Sequence, residues 1–428
     1  MMHIFSRKSE TKKVKIQRIV DSPLLYVPLL RCFGKGTEPV VKTGDEVYKC
    51  QLIGESLDGF SANVHSPVSG TITDIKEHAL ADGTLVPTII IKNDFEERVI
   101  QRPPFDLSLL NAEDILTIIR NEGIVGEGGA QFPTAIKYNS EGEKVNTFII
   151  NGTECEPYLT ADYALMTERT EELFKGIEIV NKILEASEII ISIEEQNKEL
   201  KEVFQPFLQM PEYRNIRVVT LPNVYPQGGE LQLIKSITGV EIPRKIRPRE
   251  VGVIVSNVGT VYAIYKAVTD REPVISRIIT VSGEELINEG NYEVKIGTPV
   301  GHIIKSLALS TNYRTVVLGG PMMGKAILDW SAPITKGSSG VLFFHKEKIK
   351  RNSCISCGYC VDVCPMHLMP MKFEENFRRA KYFNLEKYSI SSCIECAACE
   401  YVCPSNVPLI ESIREGKIKL KQLANAIQ

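Results

Sequence analysis

The stretch Cys354-Ile-Ser-Cys-Gly-Tyr-Cys-Val-Asp-Val-Cys-Pro365 places four cysteines at the spacing C-x2-C-x2-C-x3-C and follows them with a proline. The stretch Cys393-Ile-Glu-Cys-Ala-Ala-Cys-Glu-Tyr-Val-Cys-Pro404 repeats this spacing, so that eight of the 11 cysteines lie in two matching runs. Runs of this kind hold pairs of [4Fe–4S] clusters. The sequence therefore predicts one-electron transfer.

The order of the thiolates indicates which cysteines share a cluster. Three closely spaced cysteines of one run hold one cluster, and the fourth cysteine ligates the cluster of the other run. Structural zinc is the competing interpretation, although four-cysteine zinc sites usually use two C-x2-C pairs. The two predicted ligand sets are Cys354, Cys357, Cys360 with Cys403, and Cys393, Cys396, Cys399 with Cys364.

The composition is that of a folded protein with several domains. Of the 428 residues 43% are hydrophobic, and 50 basic residues accompany 53 acidic ones, which excludes disorder and argues against a nucleic-acid binder. An odd number of cysteines without a secretion signal argues against a disulfide framework. No apolar run approaches the ~20 residues that cross a bilayer. We expect a cytoplasmic protein with no transmembrane segment, or one seated peripherally on the inner face of the cell membrane.

The N-terminal hundred residues differ in pattern from the rest. Residues 1–20 are basic, and we interpret them as a solvated tail, with a docking arm as the alternative. From residue 21 to 102, short runs alternate with turn signals, which predicts a small all-β module. Residues 40–47 and 65–72 resemble the barrel-sandwich hybrid of lipoyl and biotinyl carriers. The expected hairpin at residues 55–63 has no lysine for attachment, so we expect the fold without the carrier function.

A glycine-rich loop follows the first helical pattern, and Gly126, Gly128 and Gly129 stand within it. Glycines let a ligand approach the backbone closely, and the start of the next predicted helix favours an anion such as phosphate. The spacing is not that of a Rossmann fingerprint. An ordinary turn is therefore the alternative.

Polar residues crowd the segment after the predicted strand at residues 145–150. They are Asn151, Glu154, Glu156 and Asp162. The carboxyl ends of strands in α/β sheets are where ligands bind, and these side chains could anchor hydroxyl groups or the edge of a flavin ring. Acidic caps at a helix start are the alternative explanation.

These motifs resemble the RnfC family in the same order, from about residue 23 to residue 415. Further matching segments are Tyr225-Pro-Gln-Gly-Gly-Glu230, Asn257-Val-Gly-Thr260 and Gly319-Gly-Pro-Met-Met-Gly-Lys325. The family is similar in turn to the NADH-binding flavoprotein subunit of respiratory complex I. The resemblance implies an FMN held by the glycine loop together with Asn151, Glu154, Glu156 and Asp162. It places NADH beside Gly228, Gly229 and Glu230.

The expected fold class is multidomain α+β and α/β. After the tail at residues 1–20, we expect an N-terminal barrel-sandwich hybrid at 21–102 and a central FMN/NADH-binding α/β domain at 103–270. A β-grasp (SLBB) module at 271–345 and a C-terminal helical two-cluster ferredoxin-like domain at 346–428 complete the chain.

The implied function is an NADH-dependent oxidoreductase that passes electrons from NADH through FMN and two [4Fe–4S] clusters to a partner protein. No nucleophilic or other catalytic side-chain arrangement is visible. Gln131 and Glu127 depart from the family pattern, which favours the proline reductase-associated branch and D-proline reductase as partner. The alternatives are a component of the membrane Rnf complex, an ion-translocating ferredoxin:NAD oxidoreductase, and a flavin-free iron–sulfur relay adaptor. The cobalamin reductase of microcompartments is a further candidate.

Overall fold

The computed structural model describes residues 1–30, 34–139, 142–243, 246–309, 315–345 and 349–427. The strands, in chain order, are β1 (Gln17–Arg18), β2 (Leu24–Pro28), β3 (Thr37–Pro39), β4 (Glu46–Val47), β5 (Leu52–Ser56), β6 (Val64–His65), β7 (Gly70–Ala79), β8 (Leu85–Asn93), β9 (Thr147–Gly152), β10 (Glu188–Glu194), β11 (Ile216–Leu221), β12 (Val253–Asn257), β13 (Ser276–Gly283), β14 (Gly290–Lys295), β15 (Thr315–Leu318), β16 (Lys325–Ala326) and β17 (Gly340–Phe344). The helices are α1 (Ala112–Asn121), α2 (Thr134–Tyr138), α3 (Ala161–Glu168), α4 (Thr170–Leu184), α5 (Leu200–Leu208), α6 (Glu230–Thr238), α7 (Val258–Thr269), α8 (Val300–Ser306), α9 (Tyr359–Asp362), α10 (Pro370–Arg378), α11 (Phe383–Lys387), α12 (Ala398–Tyr401) and α13 (Leu409–Ile427).

The N-terminal module consists of two small sheets with the strand orders β2-β8-β7-β4 and β3-β5-β6. Every strand pair in these two sheets is antiparallel. Leu25, Ile53, Ile72 and Ile89 are fully buried in its core. The predicted all-β module is therefore present.

The central domain is built on a parallel sheet with the order β11-β10-β9-β12. Its strands are continuous apolar runs because both faces are covered. Helices α4 and α7 pack on one face and α6 packs on the other. Since the strands are parallel, all four carboxyl ends meet at one edge, where ligands bind in sheets of this kind.

The third sheet has the strand order β1-β14-β13-β17-β15-β16. Strands β13 and β14 form an antiparallel hairpin, and α8 follows it in the chain. Strand β17 then pairs in parallel with β13 and antiparallel with β15. A hairpin, a helix and a last strand parallel to the first form the topology expected for the β-grasp module.

The C-terminal region is helical, and its apolar core combines Leu368, Phe373, Leu385, Ile390 and Ile413. Most of these residues lie in the long insertion between the cysteine runs, and helix α13 closes the core. Cysteines of both runs contact this cluster. The insertion therefore brings the two cysteine loops to one small domain. None of the helices within the described residues has the length and hydropathy of a membrane span.

The basic N-terminal segment is packed against the protein, which corrects the expectation of a solvated tail. Met2 pairs with Tyr225 across two backbone hydrogen bonds, and β1 joins the edge of the β-grasp sheet beside β14. Lys8 is only 4% exposed, and its ammonium group is paired with Glu194 and the carbonyl of Glu154. We call residues 1–18 the N-terminal strap.

Candidate flavin and iron–sulfur sites

The glycine loop lies between α1 and α2 and is closed by its own backbone. The amide of Gly126 donates to the carbonyl of Phe132 at 2.9 Å, and the amide of Gln131 donates to the carbonyl of Gly126 at 3.1 Å. A Cβ atom at Gly129 would meet no described atom within 4 Å, and one at Gly128 would meet Asn257, at 3.7 Å. The loop therefore leaves an open cradle above Gly128 and Gly129.

Gln131 replaces the family's usual glycine without entering this cradle. Its φ of +51° lies in the left-handed region, which explains why glycine is the easier residue there. Its side chain packs on Gly337 of the β-grasp domain, where an added Cβ would lie 2.6 Å from the Gln131 Nε2 atom. The extra side chain is thus directed to a domain contact.

Glu127 is likewise used in a contact between domains. It is 7% exposed and forms an ion pair with Arg277 of β13, which also donates to the Glu127 carbonyl at 3.3 Å. Burial lowers the pKa of Arg277 to about 10. The Glu127 backbone amide donates to the Thr260 hydroxyl at 2.9 Å. The carboxylate is therefore matched by a buried cation.

At the carboxyl edge of the central sheet, polar side chains form a connected network. The Asn151 amide donates to the carbonyl of Gly228 at 2.9 Å, and the Asp162 backbone amide donates to Glu154 Oε1 at 3.2 Å. The Asn257 amide donates to Asp162 Oδ2 at 2.6 Å. The second carboxylate oxygen of Glu154 is buried without a partner among the described residues. A buried carboxylate oxygen without a partner can accept a hydrogen bond from a bound group, and the polar edge of a flavin fits this role.

The charges of this network are shifted by burial. Burial raises the pKa of Glu154 and of Asp162, while the ammonium group of Lys8 opposes both shifts. Burial alone lowers the pKa of Lys8, but Glu194 and Glu154 outweigh it and leave that pKa above its ordinary value. Lys8 is therefore a fixed positive charge beside carboxyl groups that titrate above their usual range.

The segment after β11 supplies a second wall of the candidate site. Gln227 is fully buried, and neither polar atom of its amide has a partner in the described part of the chain. A Cβ at Gly228 would lie 2.2 Å from the Thr153 carbonyl oxygen, so only glycine fits this position. Gly229 is the N-cap of α6, and Glu230 pairs at the surface with Lys137 at 2.6 Å.

Glu156 faces a different part of the molecule from the glycine cradle. Its carboxylate accepts the backbone amides of Met322 at 3.0 Å and Met323 at 2.8 Å. Burial raises the pKa of Glu156 to about 7. Its oxygen atoms thus hold the β-grasp loop. Glu230 also points elsewhere, to Lys137. The structure brings together the remaining predicted residues, which are Gly126, Gly128, Gly129, Asn151, Glu154, Asp162, Gly228 and Gly229.

Lys8, Glu194 and Gln227 were missed by the sequence interpretation, as was the role of Asn257. Asn257 could have been found, because it ends a strand of the parallel sheet. No sequence signal marks Lys8, which is 186 residues from its partner Glu194.

The cysteines of the two runs combine crosswise around two cavities. Cys354, Cys357, Cys360 and Cys403 line the outer cavity, whereas Cys364, Cys393, Cys396 and Cys399 line the inner cavity. Among the described residues, no group of three His, Cys, Asp or Glu is positioned for a single metal ion. Four thiolates around one cavity fit a four-iron cluster.

Equivalent backbone amides point at sulfur atoms in the two runs. The amide of Ser356 donates to Cys354 at 3.4 Å, and the amide of Glu395 donates to Cys393 at 3.4 Å. Ser356 and Glu395 both have positive φ, at 57° and 56°. The loops are therefore wound alike, and amides directed at sulfur stabilise its negative charge.

The inner cavity adjoins the segment that follows β11 in the central domain. The Tyr225 hydroxyl donates to the carbonyl of Cys396 at 2.7 Å. Tyr225 and Cys396 share an apolar cluster with Met322 and Ala398, and Cys155 packs against it. Cys155 in turn accepts the Gly228 amide at 3.3 Å. A short chain of contacts thus joins the cradle side of the central domain to the inner cavity.

Known proteins of similar sequence share this domain order. Residues 2–96 match the RnfC barrel-sandwich hybrid domain, 119–266 match the Nuo51 FMN-binding domain, and 353–407 match the 4Fe-4S dicluster domain. The RnfC-type component of the ion-translocating oxidoreductase complex of Rhodobacter capsulatus is 37% identical over 98% of this chain and 82% of its own length. The chain belongs to the RnfC family. The predicted barrel-sandwich hybrid, FMN-binding domain and two-cluster domain are confirmed.

Two further RnfC relatives have similar names. The corresponding component of the proton-translocating ferredoxin:NAD(+) oxidoreductase complex of Clostridium ljungdahlii is 38% identical over 84% of this chain and 79% of its own length. That of the ion-translocating oxidoreductase complex of Haemophilus influenzae (strain PittEE) is 37% identical over 99% of this chain. The chain spans 52 to 66% of the length of relatives from three Haemophilus influenzae strains. These names favour the Rnf-complex alternative over the proline reductase branch.

Proposed function

We propose that this RnfC-family protein oxidises NADH at a bound FMN and delivers single electrons through two [4Fe–4S] clusters to a partner. The observation that carries the proposal is the direct contact between Tyr225 of the central domain and Cys396, which lines the inner cavity. When bound, FMN supplies the conversion of a two-electron donor into one-electron steps, which amino-acid side chains do not provide. The protein supplies position, charge and exclusion of water.

The residues that we propose for FMN are those around the open cradle. Gly128 and Gly129 permit close approach, Asn151 and Asp162 orient the polar wall, and Glu154 offers its unpartnered oxygen. NADH is proposed to lie on the side of Gly228 and Gly229, beside the unpartnered amide of Gln227. The carboxylates of Glu156 and Glu230 bind the Met322 amide and Lys137. We propose that Glu156 acts indirectly, by holding the β-grasp loop, and that Glu230 acts indirectly, by its ion pair at the surface.

The cluster ligands are proposed as the two crosswise sets. The inner cavity receives electrons first because it adjoins Tyr225, and Cys396 and Cys399 are each only 7% exposed. The outer cavity faces the partner because Cys354 and Cys357 are exposed. We therefore propose that the buried inner cluster lies between the flavin and the exposed outer cluster.

The partner is proposed to be the rest of an ion-translocating membrane complex, since the relatives carry that name. This proposal places the protein peripherally on the membrane. D-proline reductase was favoured from the departures at Gln131 and Glu127. Both residues are accounted for by domain contacts, so they give no reason to prefer that acceptor. Reduction of each candidate acceptor by NADH in the presence of this protein separates the two.

An anaerobic absorption spectrum of the purified protein, with iron and flavin quantified, tests the proposal. We expect about eight irons and one FMN per chain, and bleaching of both chromophores by NADH. Eight irons without flavin, reduced by dithionite but not by NADH, would establish the flavin-free relay adaptor instead.

A pair of glycine variants tests where the flavin lies. Gly129→Ala places a Cβ in the cradle, and we expect a several-fold lower FMN content and loss of NADH-driven bleaching. Gly44→Ala is the matched control, because Gly129 and Gly44 have φ values of 104° and 94° and both face open space. The two variants carry the same backbone strain, of about 1–2 kcal/mol. Equal FMN content in both would place the flavin elsewhere.

A further inference from the structure

The N-terminal strap is fixed at the proposed flavin site by its backbone. The amide of Met2 donates to the Tyr225 carbonyl at 3.0 Å, and the amide of Tyr225 returns a bond to Met2 at 2.7 Å. The Tyr158 amide donates to the carbonyl of Ser6 at 2.7 Å. The strap therefore holds Lys8 between two segments of the central domain.

Lys8 is the cation that this arrangement buries. Its Nζ atom donates to the carbonyl of Glu154 and lies 3.4 Å from Glu194 Oε2. It does not bond the Glu154 carboxylate, whose Oε1 accepts the Asp162 amide and whose Oε2 has no partner among the described residues. A buried charge is costly unless it is compensated. The strap thus brings a positive charge to the Glu154 loop, and one carboxylate oxygen of Glu154 has no partner among the described residues.

We propose that Lys8 is a positioning residue of the flavin site, which holds the Glu154 loop and favours the reduced, negatively charged form of the bound flavin. This inference rests on the proposed function. A nearby positive charge stabilises an anion most strongly where water is excluded, and Lys8 is 4% exposed. Removing the charge should therefore shift flavin reduction toward the oxidised form.

The neighbouring Lys12 offers a matched control on the same strap. Its ammonium group pairs with Glu199 at 2.5 Å and lies 4.6 Å from the ring centre of Tyr163. It donates to the carbonyl of Gln196 and has no bond to Glu154. Lys12→Met therefore makes the same substitution on the strap as Lys8→Met, but it leaves the contacts of Glu154 unchanged.

Glu194 offers a test of opposite sign. Glu194→Gln keeps the shape of the side chain and removes the charge that faces Lys8. The ammonium group is then less compensated, so the reduced flavin should be favoured more strongly than in the wild-type protein. A purely structural ion pair would lower stability in both the Lys8 and Glu194 variants without shifting the flavin potential in opposite directions.

The experiment is an anaerobic redox titration of the FMN bound to the full-length protein, with FMN content and thermal unfolding measured in parallel. For Lys8→Met we expect at least a tenfold shift of the reduction equilibrium toward oxidised flavin, which is about 30 mV more negative for a two-electron couple. Glu194→Gln should shift the equilibrium in the other direction, and Lys12→Met should leave it unchanged.

Three outcomes separate the alternatives. Bound FMN with an unchanged potential in Lys8→Met overturns the inference and leaves the proposed function intact. Absence of FMN from the wild-type protein overturns both. If Lys8→Met does not fold, Glu194→Gln decides, because a potential that stays constant or becomes more negative in that variant contradicts the role of Lys8.

Discussion

The inner and outer cysteine cavities share one sequence pattern and differ in their surroundings. In the inner cavity Cys396 and Cys399 are 7% exposed, and the carbonyl of Cys396 accepts a hydrogen bond from another domain. At the outer cavity, Ile355 and Tyr359 are 66% and 56% exposed beside the exposed Cys354. The cysteine spacing therefore specifies which metal cluster a run holds, whereas the position of the run in the fold specifies its role in electron transfer.

The difference arises from what covers each loop. The inner loop is packed against Tyr225, Met322 and Cys155, which come from the central and β-grasp domains. The outer loop is lined by its own run together with Cys403, Met371 and Leu409 of the same domain. Matched variants on the two sides should therefore differ in their effects on electron transfer and on stability.

Removing one cysteine from each cavity gives the largest expected effect. Cys396→Ala should lose about four irons and abolish NADH-driven reduction of the remaining cluster, because the cavity next to the proposed flavin site would then hold no cluster. Cys357→Ala should lose the same number of irons, from the outer cavity, but the rate of NADH-driven reduction of the inner cluster should stay within a few-fold of the wild-type rate. Iron analysis and anaerobic stopped-flow absorption measure both. The reverse pattern would exchange the roles of the two cavities.

Removing one tyrosine hydroxyl beside each cavity gives a smaller contrast. Tyr225→Phe leaves the buried carbonyl of Cys396 without its donor, which costs about 1–3 kcal/mol, and should slow reduction of the inner cluster several-fold. Tyr359→Phe alters an exposed ring, and its effect on the free energy of unfolding should stay within about 0.5 kcal/mol. Chemical denaturation measures the free energy of unfolding, and stopped-flow absorption measures the rate of inner-cluster reduction. Equal effects of the two variants would show that the Tyr225 hydroxyl is not a link between domains.

The smallest expected contrast is in the pH dependence of stability, which should depend on a carboxylate near the inner cavity and not on one near the outer cavity. Burial raises the pKa of Glu156 to about 7 from 4.5, so the folded protein keeps a proton that the unfolded chain has lost. Stability that is present below pH 4.5 is therefore lost as the pH rises through 7, and between pH 6 and 8 the loss is about 1 kcal/mol.

Glu156→Gln should remove this part of the pH dependence, measured by denaturant unfolding at pH 6 and pH 8. The control is Glu411→Gln, an exposed carboxylate that pairs with Arg351 at 3.1 Å near the outer run. It should leave the wild-type slope intact. A slope that is the same in all three proteins would mean that the Glu156 carboxylate is not buried in solution.

Much of the fold could be predicted because its signals are local. Turn residues in the first hundred positions indicate short strands, the apolar runs indicate a covered parallel sheet, and the cysteine spacing specifies four-iron clusters. Glycine positions predict the cradle because only a residue without a Cβ leaves that space open. The solvated tail was one expectation that failed. A basic composition does not reveal that Lys8 forms an ion pair with the buried Glu194.

The contacts that give each charged side chain its role are long-range. Lys8 meets Glu154 across 146 residues, Arg277 meets Glu127 across 150, and Tyr225 meets Cys396 across 171. A buried charge or hydroxyl must have a partner, but the sequence does not name the partner, because packing of separate domains decides which groups lose water together. The sequence by itself determined the modules of this protein and predicted the cysteines that hold its clusters. Only the tertiary structure decided that the strap packs against Glu154 and Glu194, and which of two equal cysteine runs contacts Tyr225.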